Sequence, residues 1–142
     1  MAELNDTAVG KTFKLDVVTP QKVAFSGEVE SLTAPGTSGS FQVLHDHAPF
    51  LTTITVGEVK ILNQHGSEAL YSTSGGFVEI NHNRATFLAE TIEMKEEINV
   101  DRARSAKERA EERLLKREPG VDIARAQAAL ARALNRLKVA GE

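Results

Sequence analysis

From Phe13 to Val17 apolar residues alternate with polar ones, Phe13, Leu15 and Val17 separated by Lys14 and Asp16. That period of two belongs to a strand with one face buried. Pro20 interrupts it, since a proline cannot donate to a strand ladder. Further apolar runs follow in FQVL, ITVGEVKIL, ALYSTS, GFVEI and ATFLAE, and the turn formers APGTSG, NQHG, SGG and NHN separate them. Many short strands at close intervals predict an antiparallel β-sandwich or barrel reaching to about Ile92.

Beyond Glu93 the pattern changes. Eight of the ten glycines are already past, and Ala, Arg, Glu and Leu take over. Asn99 is a good N-cap with Asp101 in the first turn, which predicts a helix from about Val100 to about Arg117. Glu118-Pro119-Gly120 ends it, and Asp122 can cap a second helix reaching about Lys138. So short a connection predicts an antiparallel α-helical hairpin. The chain thus divides into a β-sandwich, residues 1–92, and a helical hairpin, residues 93–142. On the second helix Ile123, Leu130, Leu134 and Leu137 share one face, while Arg125, Arg132 and Arg136 cluster on the other. The first helix offers Ala103, Ala106, Ala110 and Leu114 at helical spacing. An alanine seam buries little area per residue, so the hairpin is expected to be weakly held and able to swing or open.

Charge follows the same boundary. Residues 1–92 hold 5 Lys/Arg against 10 Asp/Glu, net −5, and residues 93–142 hold 12 against 10, net +2, together the −3 of the chain. The helical part is therefore the one suited to an acidic partner, its arginines being either a solvated face or a clamp for anions. So balanced a total argues against a protein held to nucleic acid by net charge, and six Phe, one Tyr and no Trp give few stacking platforms. Cysteine is absent, which removes disulfides, thiolate zinc sites and thiol nucleophiles. No apolar run is long enough to cross a bilayer or serve as a signal peptide, so a soluble protein is expected, without an import leader.

Two of the four histidines sit in His45-Asp46-His47. On a strand, His-x-His points both imidazoles to one side, as metal-binding β-barrels of the cupin type require. Such a site needs a carboxylate four or five positions after the second histidine, where Leu51 and Thr52 stand. A metal-dependent β-barrel enzyme using His45 and His47 is the alternative reading, short of ligands, and no metal or catalytic residue is assigned. No nucleophile elbow, P-loop or dinucleotide fingerprint is present.

The stretch LDVVTPQKVAFSGEVESLTAPGTSGSFQVLHDHAPFLTTITVGEVKI, followed by STSGGFVEINHNRATFLAE, AKERAEERL and ARALNRL in the same order, resembles the epsilon subunit of F-type ATP synthase. The resemblance covers about Phe13 to Val139. It implies a ten-stranded sandwich followed by a helical hairpin. It also implies a non-catalytic rotor subunit that couples the central stalk to the membrane ring and inhibits ATP hydrolysis through the hairpin. The partners implied are the gamma subunit and the c-ring for the sandwich, and the catalytic head's alpha and beta subunits for the hairpin. The implied setting is peripheral, on the cytoplasmic face of the bacterial inner membrane. His47 and Thr52 are the implied contacts toward gamma, and the turn around Ser40 the contact toward the ring, although Ser40 replaces the family's usual glutamate, and Gln42 and Asp46 its usual glycine or small residues. Some members also bind a regulatory ATP between the helices, no cofactor being required. The matching positions here are Ile98, Arg102, Ala103, Arg132 and Arg136, with Asn99 in place of the family's Asp. A shifted register keeps Asp101 and Arg104 but loses the alanine.

Overall fold

In a computed structural model, which describes residues 11–142, seven strands precede two helices. The strands are β1 (Phe13–Val18), β2 (Val23–Gly36), β3 (Gly39–Val43), β4 (Phe50–Ile54), β5 (Gly57–Asn63), β6 (Glu68–Asn81) and β7 (Arg84–Met94). A 3-10 turn at Lys95–Glu97 leads into α1 (Val100–Lys116) and then α2 (Ile123–Ala140).

Seven strands do the work expected of ten because three of them are long and bend. The first half of β2 pairs with β1 and its second half with β3 and β5. Likewise β6 pairs with β5 through Glu68–Thr73 and with β4 through Gly76–Ile80, while β7 follows it along most of its length. Ser74-Gly75-Gly76 is therefore a bulge inside β6, where a turn is expected from its composition. Both glycines have positive φ, 126° and 148°, and a Cβ on Gly76 would run into the carbonyl oxygen of Leu88. Glycine bends the strand there without ending it. The run ITVGEVKIL conversely divides, Thr55 and Val56 separating β4 from β5. All pairs are antiparallel except β1 with β7, which run parallel. Hydrogen bonding passes from β1 through β7, β6, β5 and β2 back to β1, so the sheet closes on itself as a flattened sandwich.

The alternation seen in the sequence sets what lies inside. Phe13, Leu15 and Val17 are buried, joined by Val29, Leu32, Val59, Val78 and Phe87. Both helices begin where their caps predict: Asn99 Oδ1 accepts from the Arg102 N–H and Asp122 Oδ1 from the Arg125 N–H, each at 3.0 Å. Arg117, in the left-handed conformation, ends α1, and Gly141 ends α2. The helices run antiparallel, and Arg104 near the start of α1 reaches Glu142 beyond the end of α2 at 2.9 Å. Their seam is alanine: Ala103 and Ala110 are buried on α1, Ala126 and Ala133 on α2. Of the apolar face read on α2, Leu137 is buried and Ile123 and Leu130 are half-buried, while Leu134 is 46 % exposed; Val139 is buried as well. Side chains as small as alanine permit the two helix backbones to approach closely.

Candidate functional site

The hairpin meets the sandwich through α2, which lies across β5 and β6. Strand β6 is consequently buried on both faces at one place. Tyr71 and Thr73 face the core side, and Ser72 between them is also covered. Asn135 on α2 makes the polar connection, its Nδ2 donating to the Gly57 carbonyl at 2.8 Å and to Ser72 Oγ at 2.9 Å. On the next residue of the helix, Arg136 Nε donates to the Glu93 carboxylate near the end of β7.

Between the 3-10 turn and the helices lies a cleft of about 290 Å³ lined by Glu93, Glu97, Asn99, Arg102, Ala103, Ala106, Arg109 and Arg136. It gathers Arg102, Ala103 and Arg136, three of the five hairpin positions that the sequence singles out. Ile98 is buried beside it, 8 % exposed. Arg132 lies elsewhere, on a second cleft of about 490 Å³ with Arg113, Asp122 and Arg125. Asn99 lines the first cleft, but its Oδ1 is occupied by the cap of α1, which leaves its Nδ2 as the group free to face a ligand. Three guanidinium groups converge on this cleft against two carboxylates, an arrangement that can grip an anion once Arg136 exchanges Glu93 for it.

The histidine pair occupies the turn between β3 and β4, not a strand. Strand β3 ends at Val43, and Asp46 has φ 58°, in the left-handed region. The two imidazoles therefore lack the shared side that a His-x-His strand would provide. His45 Nε2 lies 3.5 Å from Asp46 Oδ2, and His47 Nδ1 lies 2.8 Å from the Ala48 carbonyl oxygen, a contact of the Nδ1–H tautomer. Among the described residues no group of three or more His, Cys, Asp or Glu is placed to hold a metal.

Around this turn the residues form a surface. The His47 ring packs 5.6 Å from Phe50, which meets Phe41 edge-on at 5.5 Å. Ser40 is exposed on β3, and Thr52 is half-buried on β4. Next to it, on the outer face of β4, β6 and β7, Leu51 is 69 % exposed and Phe77 and Leu88 are each 54 % exposed. Phe77 and Leu88 are direct cross-strand partners, and Leu51 sits opposite Glu79, on the same face as Phe77. This apolar strip was missed in reading the strands as alternating. The signal is adjacency: Phe50-Leu51, Phe77-Val78 and Phe87-Leu88 put an apolar side chain on both faces of a strand, which calls for cover on both.

The family model for the ATP synthase delta/epsilon chain β-sandwich domain matches residues 12–95, and that for its long α-helix domain matches residues 96–141. The chain belongs to the ATP synthase delta/epsilon family. It is 42 % identical to the ATP synthase epsilon chain of Desulforamulus reducens, over 93 % of this chain and 99 % of that one. Identity is 45 % with the epsilon chain of Moorella thermoacetica and 46 % with that of Nitratidesulfovibrio vulgaris, each over 92 % of this chain and 97 % of the other. The fold is shared with a chain of the Euglena gracilis mitochondrial ATP synthase, TM-score 0.74 at 19 % identity, covering 89 % of this chain and 79 % of that one. It is shared as well with a chain of the Tetrahymena thermophila central stalk and c-ring assembly, TM-score 0.64 at 15 % identity, covering 89 % and 95 %. This member of the family is a non-catalytic subunit of the ATP synthase complex. The cupin-like alternative has no support beside these matches. Among the described residues no helix is long and apolar enough to cross a membrane.

Proposed function

We propose that this subunit couples the central stalk of the synthase to its membrane ring, and that the hairpin restrains ATP hydrolysis by leaving its seat on the sandwich. The observation that carries the regulatory part is the unequal attachment of the hairpin. Its helices adhere through alanines, and α2 is tied down by Asn135 and by the Arg136–Glu93 pair. Few contacts have to break for it to extend toward the alpha and beta subunits, and its net +2 charge suits acidic patches there. The division of labour falls near residue 93, residues 1–92 holding the stalk and 93–142 regulating.

On the sandwich, His47 and Thr52 face gamma and the turn around Ser40 faces the ring. The apolar strip of Leu51, Phe77 and Leu88 supports this reading, since it needs a protein partner to cover it. The subunit sits peripherally on the cytoplasmic face of a bacterial inner membrane, held there by its partners. ATP is a regulatory ligand of the cleft between the 3-10 turn and the helices, where Ile98, Arg102, Ala103 and Arg136 gather, with Arg132 contributing only if α2 shifts. Bound there it favours the seated hairpin, and it can do so only by binding that form better than the extended one.

Removing the residues after Glu93 is expected to raise ATP hydrolysis in the reassembled enzyme while proton pumping stays coupled to it; unchanged hydrolysis removes the inhibitory role. Titrating ATP into the isolated full chain, beside Arg102→Ala and Asn99→Asp, checks the ligand. Saturable binding weakened by the first variant supports it, and no saturable binding removes ATP from the reading.

A further inference from the structure

Asn83 lies far in sequence from the His45-Asp46-His47 turn, yet it is the residue that holds that turn. It occupies the second position of the two-residue connection between β6 and β7, where Asn81 pairs with Arg84. His82 and Asn83 have φ 51° and 57°, the two positive values a type I′ hairpin requires, and asparagine tolerates that region well. With the backbone set by the hairpin, the carboxamide bridges two other segments. Its Oδ1 accepts from the Asp46 N–H at 2.8 Å, and its Nδ2 donates to the Thr12 carbonyl at 3.0 Å. The Asn83 carbonyl in turn accepts from the Lys14 N–H at 3.3 Å. The N–H that is held belongs to Asp46, the residue of the loop forced into the left-handed conformation without being glycine. Such a residue persists when its surroundings over-determine it.

We propose that Asn83 is a positioning residue for subunit assembly: its carboxamide fixes Asp46 in the left-handed conformation, so that His47-Ala48-Pro49 meets the stalk in one prearranged shape. This rests on the reading of that turn as a partner contact. A prearranged loop binds without the ordering cost a mobile one incurs, so Asn83 contributes to affinity without touching the partner.

The test uses the full chain with Asn83→Gly, which keeps the positive φ at no steric cost and removes both side-chain bonds, and with Asn83→Asp, which keeps the acceptor. In Asn83→Gly the Asp46 amide is expected to exchange roughly tenfold faster, the scale of one net hydrogen bond, with the core amides of the strands unchanged. Its affinity for ATP synthase stripped of this subunit is expected to fall by a similar factor. Asn83→Asp is expected to restore most of the protection and of the affinity. Unchanged Asp46 exchange overturns the proposal, and so does faster exchange with undiminished assembly. His47→Ala separates the two readings. If it weakens assembly and Asn83→Gly does not, the positioning role alone fails; if neither does, the turn is not the contact and both fail.

Discussion

The sandwich and the hairpin bury their residues by different means. In the sandwich the interior is large side chains, Phe13, Leu15, Leu32 and Phe87 among them, and hydrogen bonds run all the way round the sheet. No strand can leave without breaking pairings on its neighbours. In the hairpin the buried residues are mostly alanine, Ala103, Ala110, Ala126 and Ala133, with Leu137 and Val139 near the end of α2, and the helices satisfy their own backbones. A helix pair of that kind can move as a unit with its hydrogen bonds intact, because a helix needs no partner for them. The difference fits a body that bears load and an arm that changes place.

The largest expected effect lies in the sandwich. Phe87 is fully buried, and Phe87→Ala leaves a cavity that costs about 3–5 kcal/mol. Thermal unfolding should fall for the whole sandwich, with the hairpin losing its seat in the same transition. If the helices melted separately in the variant and the sandwich stayed put, the contrast between the two regions would be wrong.

A smaller effect tests the seat itself. Asn135→Ala removes the two hydrogen bonds to Gly57 and Ser72 and leaves the covered Ser72 hydroxyl without a partner, costing about 1–3 kcal/mol. Amides of α2 should exchange faster while those of β1 and β7 keep their protection, since the change falls on docking and not on either core. Equal acceleration in both regions would mean that the hairpin and sandwich unfold as one unit, and the arm would not be independent.

What could be read in the chain beforehand divides along the same line. The helices were legible to within two residues, because their signals are local: Asn99 and Asp122 cap them, and Glu118-Pro119-Gly120 separates them. Buried Phe13, Leu15 and Val17 were legible from alternation. The strand count was not, since Ser74-Gly75-Gly76 has a turn's composition and only the pairing with β7 makes it a bulge. On α2 the apolar face was legible at Leu137, Ile123 and Leu130 but not at Leu134, which is left exposed. The ties that place the candidate sites are longer still. Asn83 to Asp46 and Asn135 to Ser72 join residues 37 and 63 positions apart, and neither carries any periodic signal.

The smallest effect compares one carboxylate from each region. Asp16 on β1 accepts from Ser26 Oγ at 2.7 Å, and that bond, helped by Lys14 and Arg84 against the opposing pull of burial, holds its pKa below the ordinary carboxylate value. Glu112 on α1 is likewise lowered, first by its hydrogen bond with Lys116 and then by that residue's charge. Both therefore add stability that is present above the unfolded carboxylate pKa and is lost as pH falls through the lower folded value. They differ in what they hold together. Asp16 joins β1 to β2 and, through Arg84, to β7, whereas Glu112 and Lys116 lie one turn apart on the same helix. Asp16→Asn should lower the stability of the sandwich at neutral pH by at most about 1 kcal/mol, the difference from wild type shrinking in acid. Glu112→Gln should leave the sandwich transition where it was at every pH. Parallel acid profiles for wild type and Asp16→Asn would show that the β1–β2 relay carries no stability.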